Sequence, residues 1–169
     1  MPTESVPVGL ELLQEYGLVV LFFLFVLEGA MLLFVAPSES LVPFAIATPL
    51  ATTTEEYVLV LSISVVGATI GQYALFSVAK RGGRERLLGH RWVRIDRTRL
   101  ATCEEWFGRW GPIVVLVSNS LPFVRGLFTV PAGFAEMDDR RFVLVFALGT
   151  MCFETTLAVI TLGVIDRFL

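Results

Sequence analysis

Residues 57–79 read YVLVLSISVVGATIGQYALFSVA, a run without one charged side chain. A helix that crosses the hydrocarbon of a bilayer needs about 20 mainly apolar residues, and this stretch supplies them. Two further runs resemble it. Residues 16–36 carry one charge, Glu28, and residues 142–165 carry only Glu154. The chain of 169 residues is 55% hydrophobic and 17% charged, with a mean hydropathy of +0.75. Soluble domains carry about a quarter charged residues, so the apolar excess points to lipid. The length suits one domain, taken as 1–169.

Two other apolar stretches are broken. Pro37, Pro43 and Pro49 punctuate residues 37–50; Pro112, Pro122 and Pro131, with Gly126 and Gly133, punctuate residues 111–135. Broken backbone at membrane depth leaves N–H and C=O groups unpaired, and these are tolerated only against protein or a wet cavity. Both stretches therefore read as parts of re-entrant hairpins. Between the halves, residues 80–110 hold nine of the thirteen basic residues, interleaved with Trp92, Trp106 and Trp110. Clustered Arg and interfacial Trp mark a cytoplasmic linker, either an amphipathic segment lying on anionic lipid or a plain basic loop that sets topology.

The halves also resemble each other. A shift of 85 positions places residues 55–61 on 140–146, Ala47 on Ala132 and Ser40 on Arg125, while Tyr16-Gly17 matches Trp110-Gly111 at a larger shift. The fold class expected is all-α and membrane-bound. Two inverted repeats, about 15–79 and 111–165, would each comprise a re-entrant hairpin plus a transmembrane helix. Inverted repeats with broken segments place a transporter's site near the midplane. The rival topology lets residues 16–36 cross fully.

Charges at bilayer depth cost about 2.5–3.5 kcal/mol on insertion scales and usually pair around a cavity. Four such residues stand out: Glu28, Glu39, Arg125 and Glu154. Glu39 and Arg125 occupy the two hairpin turns and are expected to pair or to face one wet pocket. Glu28 and Glu39 are the candidate proton carriers. Glu154 is expected to hydrogen-bond Thr155, Thr156 or Gln72. Gly67 and Gly71 form a small-xxx-small spacing that suits close helix packing.

Several classes are disfavoured. The net charge is −3 and the pI about 5.2, unlike a nucleic-acid binder. Cys103, Cys152 and the lone His90 show no metal spacing. No nucleophile motif or phosphate-cradling loop suggests an enzyme or a cofactor. The N-terminal residues, with three glutamates and no basic residue before residue 16, do not read as a signal peptide.

The sequence resembles the DedA (VTT-domain, SNARE-associated-like) family over about residues 15–165. The resemblance rests on Leu27-Glu28 with Ala36-Pro37-Ser38-Glu39-Ser40-Leu41-Val42-Pro43, and on Gly67, Gly71, Gln72, Phe76, Ala79 and Gly82. Its most specific part is Leu121-Pro122-Phe123-Val124-Arg125, followed by Pro131-Ala132-Gly133, Met137, Arg141-Phe142 and Gly149. It implies two inverted re-entrant hairpins, a multi-pass place in the plasma membrane, and flipping or scrambling of lipids, with Glu28, Glu39 and Arg125 at functional positions. Asn119 stands where the family usually carries an earlier arginine, and Gln72 where Asp or a small polar residue is common.

The function expected is a flippase or scramblase for an anionic lipid, a phospholipid or, through the family alone, a polyprenyl-phosphate carrier. Its phosphate would sit at Arg125, helped by Asn119, Ser118 or Ser120. Glu28 and Glu39 would exchange protons, and Pro37, Pro122, Gly126, Gly133, Gln72 and Glu154 would support the site. Candidate partners are membrane lipids, protons and further copies of the chain. The alternative is a proton-coupled exporter of small ions or cationic compounds. An intramembrane hydrolase and a scaffold without transport are the remaining readings.

Overall fold

The computed structural model describes residues 8–32, 38–48, 51–82, 97–122 and 124–168. Pro37, Pro49, Phe123 and residues 83–96, with His90 and Trp92, lie outside the described residues, as do the first seven. Among the described residues the chain is all-helical with seven helices: α1 (Val8–Gly29), α2 (Ser38–Ile46), α3 (Thr54–Gly82), α4 (Arg97–Trp110), α5 (Pro112–Asn119), α6 (Thr129–Phe134) and α7 (Asp139–Phe168).

Local chemistry starts the two long helices. Before α3, the Thr53 hydroxyl accepts the Glu56 N–H at 3.3 Å. The Glu56 carboxylate in turn accepts the Thr53 N–H at 2.9 Å. This reciprocal capping box satisfies donors that a helix start leaves orphaned. Before α7, the Asp138 carboxylate accepts the Arg141 N–H at 3.0 Å. α3 has 29 residues and α7 has 30. At 1.5 Å per residue each is over 40 Å long, roughly, against a hydrocarbon core of about 30 Å. Only a third of each apolar span is buried inside the protein. Val58, Val66, Ile70 and Val78 on α3, and Leu144, Leu148, Val159 and Ile160 on α7, point outward. A soluble protein does not leave apolar faces of that extent bare, so this is a protein with two lipid-facing spans.

α1 stops short. Met31 adopts φ 57, its N–H bonds the Glu28 carbonyl at 2.8 Å, and the Leu32 N–H reaches back to the Leu27 carbonyl at 2.9 Å. That pair of bonds is a Schellman ending. The apolar run 16–36 is therefore not one unbroken helix. α6 ends the same way. Glu136 lies at φ 52 and bonds the Gly133 carbonyl, and Met137 bonds the Ala132 carbonyl.

α3 and α7 run antiparallel. At one end Lys80 bonds Asp139 at 2.6 Å and Phe76 stacks on Phe142 with centroids 4.1 Å apart. At the other end Val60 and Tyr57 share a core with Ala158, Leu162 and Ile165. The shorter helices pack reciprocally. α1 lies along α3 and α5 along α7, whereas α2 crosses to α7 and α6 crosses to α3.

The repeat is plainer in three dimensions than in sequence. A shift of 82 carries the buried face of α3 (Val60, Ser64, Gly67, Ala68, Gly71, Gln72, Phe76) onto that of α7 (Phe142, Phe146, Gly149, Thr150, Phe153, Glu154, Ala158). The shift of 85 read from the sequence holds at the caps, where Thr53 falls on Asp138. The helix contacts repeat as well. A Cβ built on Gly67 would stand 3.0 Å from the Phe22 carbonyl oxygen and 2.9 Å from the Phe25 Cβ. One built on Gly149 would stand 2.6 Å from the Leu116 carbonyl oxygen and 2.8 Å from the Asn119 Cβ. Phe22 and Leu116 are related by the same shift as Tyr16 and Trp110. The long helices must lack side chains there for the short ones to approach.

Of the basic segment, α4 is described. Trp106 and Trp110 are more than half exposed, while Cys103 faces inward at 5% exposure. It joins the core formed by Phe76, Val115, Phe128 and Ala132.

Candidate functional site

Where the two repeats meet, apolar packing gives way to buried polar side chains. Gln72 is 3% exposed, Asn119 and Thr129 are 1% exposed, and Thr150 and Glu154 are fully buried. Gln72 comes from α3, Asn119 from the end of α5, Thr129 from the start of α6, and Thr150 and Glu154 from one face of α7. Arg125 lies in the turn between α5 and α6.

That turn is fixed by its neighbours. The Gly126 N–H donates to the Asn119 side-chain oxygen at 2.9 Å. Gly126 has φ 73, and a Cβ there would collide with the Gln72 amide nitrogen and stand 2.9 Å from the Met31 methyl. Glycine alone meets both conditions cheaply. The Thr129 hydroxyl donates to the Gln72 side-chain oxygen, tying the turn to α3. So held, Arg125 reaches α7. Its Nη1 donates to the Glu154 Oε1 at 2.6 Å, with side-chain exposures of 6% and 0%. Its guanidinium carbon lies 5.2 Å from the centre of the Phe153 ring, a cation–π contact.

The pair does not satisfy everything around it. Among the described residues, the Arg125 Nη2, Asn119 Nδ2, Thr150 Oγ1 and Glu154 Oε2 atoms are buried without a hydrogen-bond partner. Nearly all buried polar atoms in folded proteins find one. The Arg125 Nη2 and Asn119 Nδ2 are donors, and Asn119 is tied to the Arg125 turn through the Gly126 N–H; such donors are the chemistry that holds an oxyanion. Glu39 sits on α2, which packs on α7, and Glu28 on α1, which packs on α2 and α3.

The structure brings together Gln72, Asn119, Arg125, Gly126 and Glu154, while Glu28 lies in the last turn of α1 and Glu39 in the first turn of α2. It gives Arg125 a partner other than the one expected: Glu154 rather than Glu39. Glu154 in turn does not use its neighbours as anticipated, since the Thr156 hydroxyl donates to the Cys152 carbonyl and Gln72 takes Thr129. The Ser118 and Ser120 hydroxyls donate to the Val115 and Leu116 carbonyls at 3.1 and 3.0 Å. Gly133 packs against Ala79 at the end of α3, and Pro122 is exposed at the start of the turn. Thr150 was not anticipated. Its signal was positional, one helical turn before Glu154 on the same face.

Two lipid-facing antiparallel spans enclosing a buried Arg–Glu pair define a helical integral membrane protein. The chain belongs to the VTT domain family, whose match covers residues 37–163. Among its relatives is undecaprenyl phosphate transporter A of Staphylococcus aureus, 24% identical over 94% of this chain and 79% of that protein. Undecaprenyl phosphate transporter A of Bacillus subtilis is 32% identical over 50% of this chain and 43% of its own length. The uncharacterized membrane protein YbfM of Bacillus subtilis is 28% identical over 57% of this chain and 62% of its own length. No solved structure matches.

Proposed function

We propose that the protein carries an anionic lipid, a polyprenyl phosphate above all, across the cell membrane. The observation that carries this is the buried Arg125, its Nη2 unsatisfied like the Nδ2 of Asn119 that holds the same turn, at the meeting of two repeats. The relatives named as undecaprenyl phosphate transporters support the substrate class. In this reading α1–α2 and α5–α6 are re-entrant hairpins of inverted orientation, and the basic segment 80–110 is cytoplasmic. The reciprocal packing of the short helices on the long ones supports that arrangement.

The lipid phosphate binds Arg125, with the Asn119 amide taking the place of a second cation. Glu28 and Glu39 exchange protons as the anion comes and goes, which offsets the charge it brings to membrane depth. Gly126 and Gln72 hold the turn that presents Arg125. No bond is made or broken in the lipid; the protein only lowers the cost of moving a phosphate through hydrocarbon.

The test is photo-crosslinking in vesicles with a diazirine-bearing polyprenyl phosphate. Crosslinks should fall in the peptide spanning residues 110–125, be competed by unlabelled polyprenyl phosphate but not by the free polyprenol, and vanish in Arg125→Ala. Competition by the alcohol, or unchanged labelling of Arg125→Ala, would contradict the proposal.

A further inference from the structure

We infer that Glu154 is a tethered competitor: its carboxylate occupies the guanidinium of Arg125 until the incoming anion displaces it. This rests on the lipid-phosphate reading above and adds to it the group that decides when the site is free.

The geometry carries the argument. Glu154 Oε1 is 2.6 Å from Arg125 Nη1, and both side chains are shut away from the surface. A carboxylate and a phosphate oxygen ask the same thing of a guanidinium, so Glu154 competes with an incoming anion for the charge of Arg125 and for the donors on Nη1, and leaves Nη2 as the point of first contact. The pair is also incompletely built for a structural role. Glu154 Oε2, Arg125 Nη2 and the Thr150 hydroxyl one turn earlier have no partner among the described residues. A buried pair kept for stability alone gains little unless its remaining lone pairs and protons are satisfied.

The repeat isolates what is special about this position. The residue equivalent to Glu154 on the buried face of α3 is Gln72, which uses its side-chain oxygen to hold Thr129 and carries no charge. The same place in two repeats thus holds a neutral anchor in one and a charged partner in the other. Thr150 is likewise the equivalent of Ala68, and Ser64 that of Phe146, so both buried faces are partly polar but only the second carries a charge.

The surroundings set the sign of the pH effect. Arg125 from the α5–α6 turn pairs with Glu154; α2, packed on α7, carries Glu39, and α1, packed on α2 and α3, carries Glu28. α3 and α5 bring the uncharged Gln72 and Asn119. A second anion at the guanidinium meets the Glu154 carboxylate already there. A proton on Glu154 removes its claim on Arg125, so anion affinity rises as pH falls, and this part of the dependence belongs to Glu154.

Isothermal titration of the full chain in detergent tests the inference, with farnesyl phosphate as probe and farnesol as the uncharged control, at pH 6 and pH 8. The phosphate's own ionisation is common to every variant, so the difference between variants is what is read. Glu154→Gln is expected to bind farnesyl phosphate at least about tenfold more tightly than wild type at pH 8, with a smaller gap at pH 6. Glu154→Asp, whose carboxylate is drawn back by one methylene, is expected to lie between them and to keep the pH slope. If Glu154→Gln and Glu154→Asp bind with wild-type affinity and slope, or more weakly, the pair is structural and the inference falls. Should the Gln variant not fold, wild-type binding by the Asp variant overturns it alone. If wild type binds farnesyl phosphate no better than farnesol, the lipid-phosphate reading itself fails and takes this inference with it.

Discussion

Arg125 and Glu154 are a buried pair whose members cannot be removed singly without leaving an uncompensated charge. Such removal typically costs about 3–5 kcal/mol. Arg125→Ala should therefore lower the thermal midpoint in detergent markedly, whereas Arg125→Ala with Glu154→Gln should recover most of it. Neither variant should move lipid. Gly126→Ala should be damaging for a different reason, because the new methyl meets Gln72 in a backbone conformation that disfavours it. It should cost about 1–3 kcal/mol and cut transport, while leaving helix content by circular dichroism unchanged. At this scale the charged residues were legible, since Glu28, Glu39, Arg125 and Glu154 stand out in apolar surroundings. The partner of Arg125 was not. It depends on how α7 is rotated, and a register read from helix starts differs by three residues from one read from faces. Thr150 is neutral and small, and only its place one helical turn before Glu154 separates it from a packing residue.

Helix ends set where the elements stop. α6 closes on Glu136, an exposed residue held at φ 52. Glycine is the residue best suited to that position. Glu136→Gly should raise stability by about 0.5–1 kcal/mol, read as an upward shift of the thermal midpoint. No shift, or a fall, would mean that the side chain contributes something the Schellman ending does not explain. α4 docks through Cys103, whose thiol burial pushes up, with the neighbouring Glu104 acting in the same direction. Only the thiolate reacts with maleimide. Cys103 should therefore label slowly at pH 7 and faster as pH rises, and a fast reaction at neutral pH would show α4 lifting from the core. The two long spans were plain from uninterrupted apolar sequence; Pro112 and Pro122 stand at breaks, whereas Pro43 lies inside α2 and Pro131 inside α6. The end of α1 at Met31 was not readable, because a methionine in the left-handed region carries no sequence signature.

At the scale of the whole molecule, the two halves use one packing solution twice. Gly67 and Gly149 admit α1 and α5 by the same contacts. Gly67→Leu and Gly149→Leu should each force a short helix off its span, at about 1–3 kcal/mol for overpacking, and should damage transport alike. A large effect at one and none at the other would show that the repeats are not mechanically equivalent. The sequence revealed a repeat but diluted it, since caps, buried faces and first limbs follow shifts of 85, 82 and 94. Insertions in turns change those shifts without disturbing the packing. The central claim is that the buried Arg125 cluster passes a lipid phosphate between leaflets. Its most direct test is flipping of a fluorescent polyprenyl phosphate in proteoliposomes, with quenching of the outer leaflet, for wild type and Arg125→Ala beside protein-free vesicles. The account predicts flipping by wild type well above protein-free vesicles and none by Arg125→Ala. Equal rates in all three preparations, or an Arg125→Ala protein as fast as wild type, would contradict it.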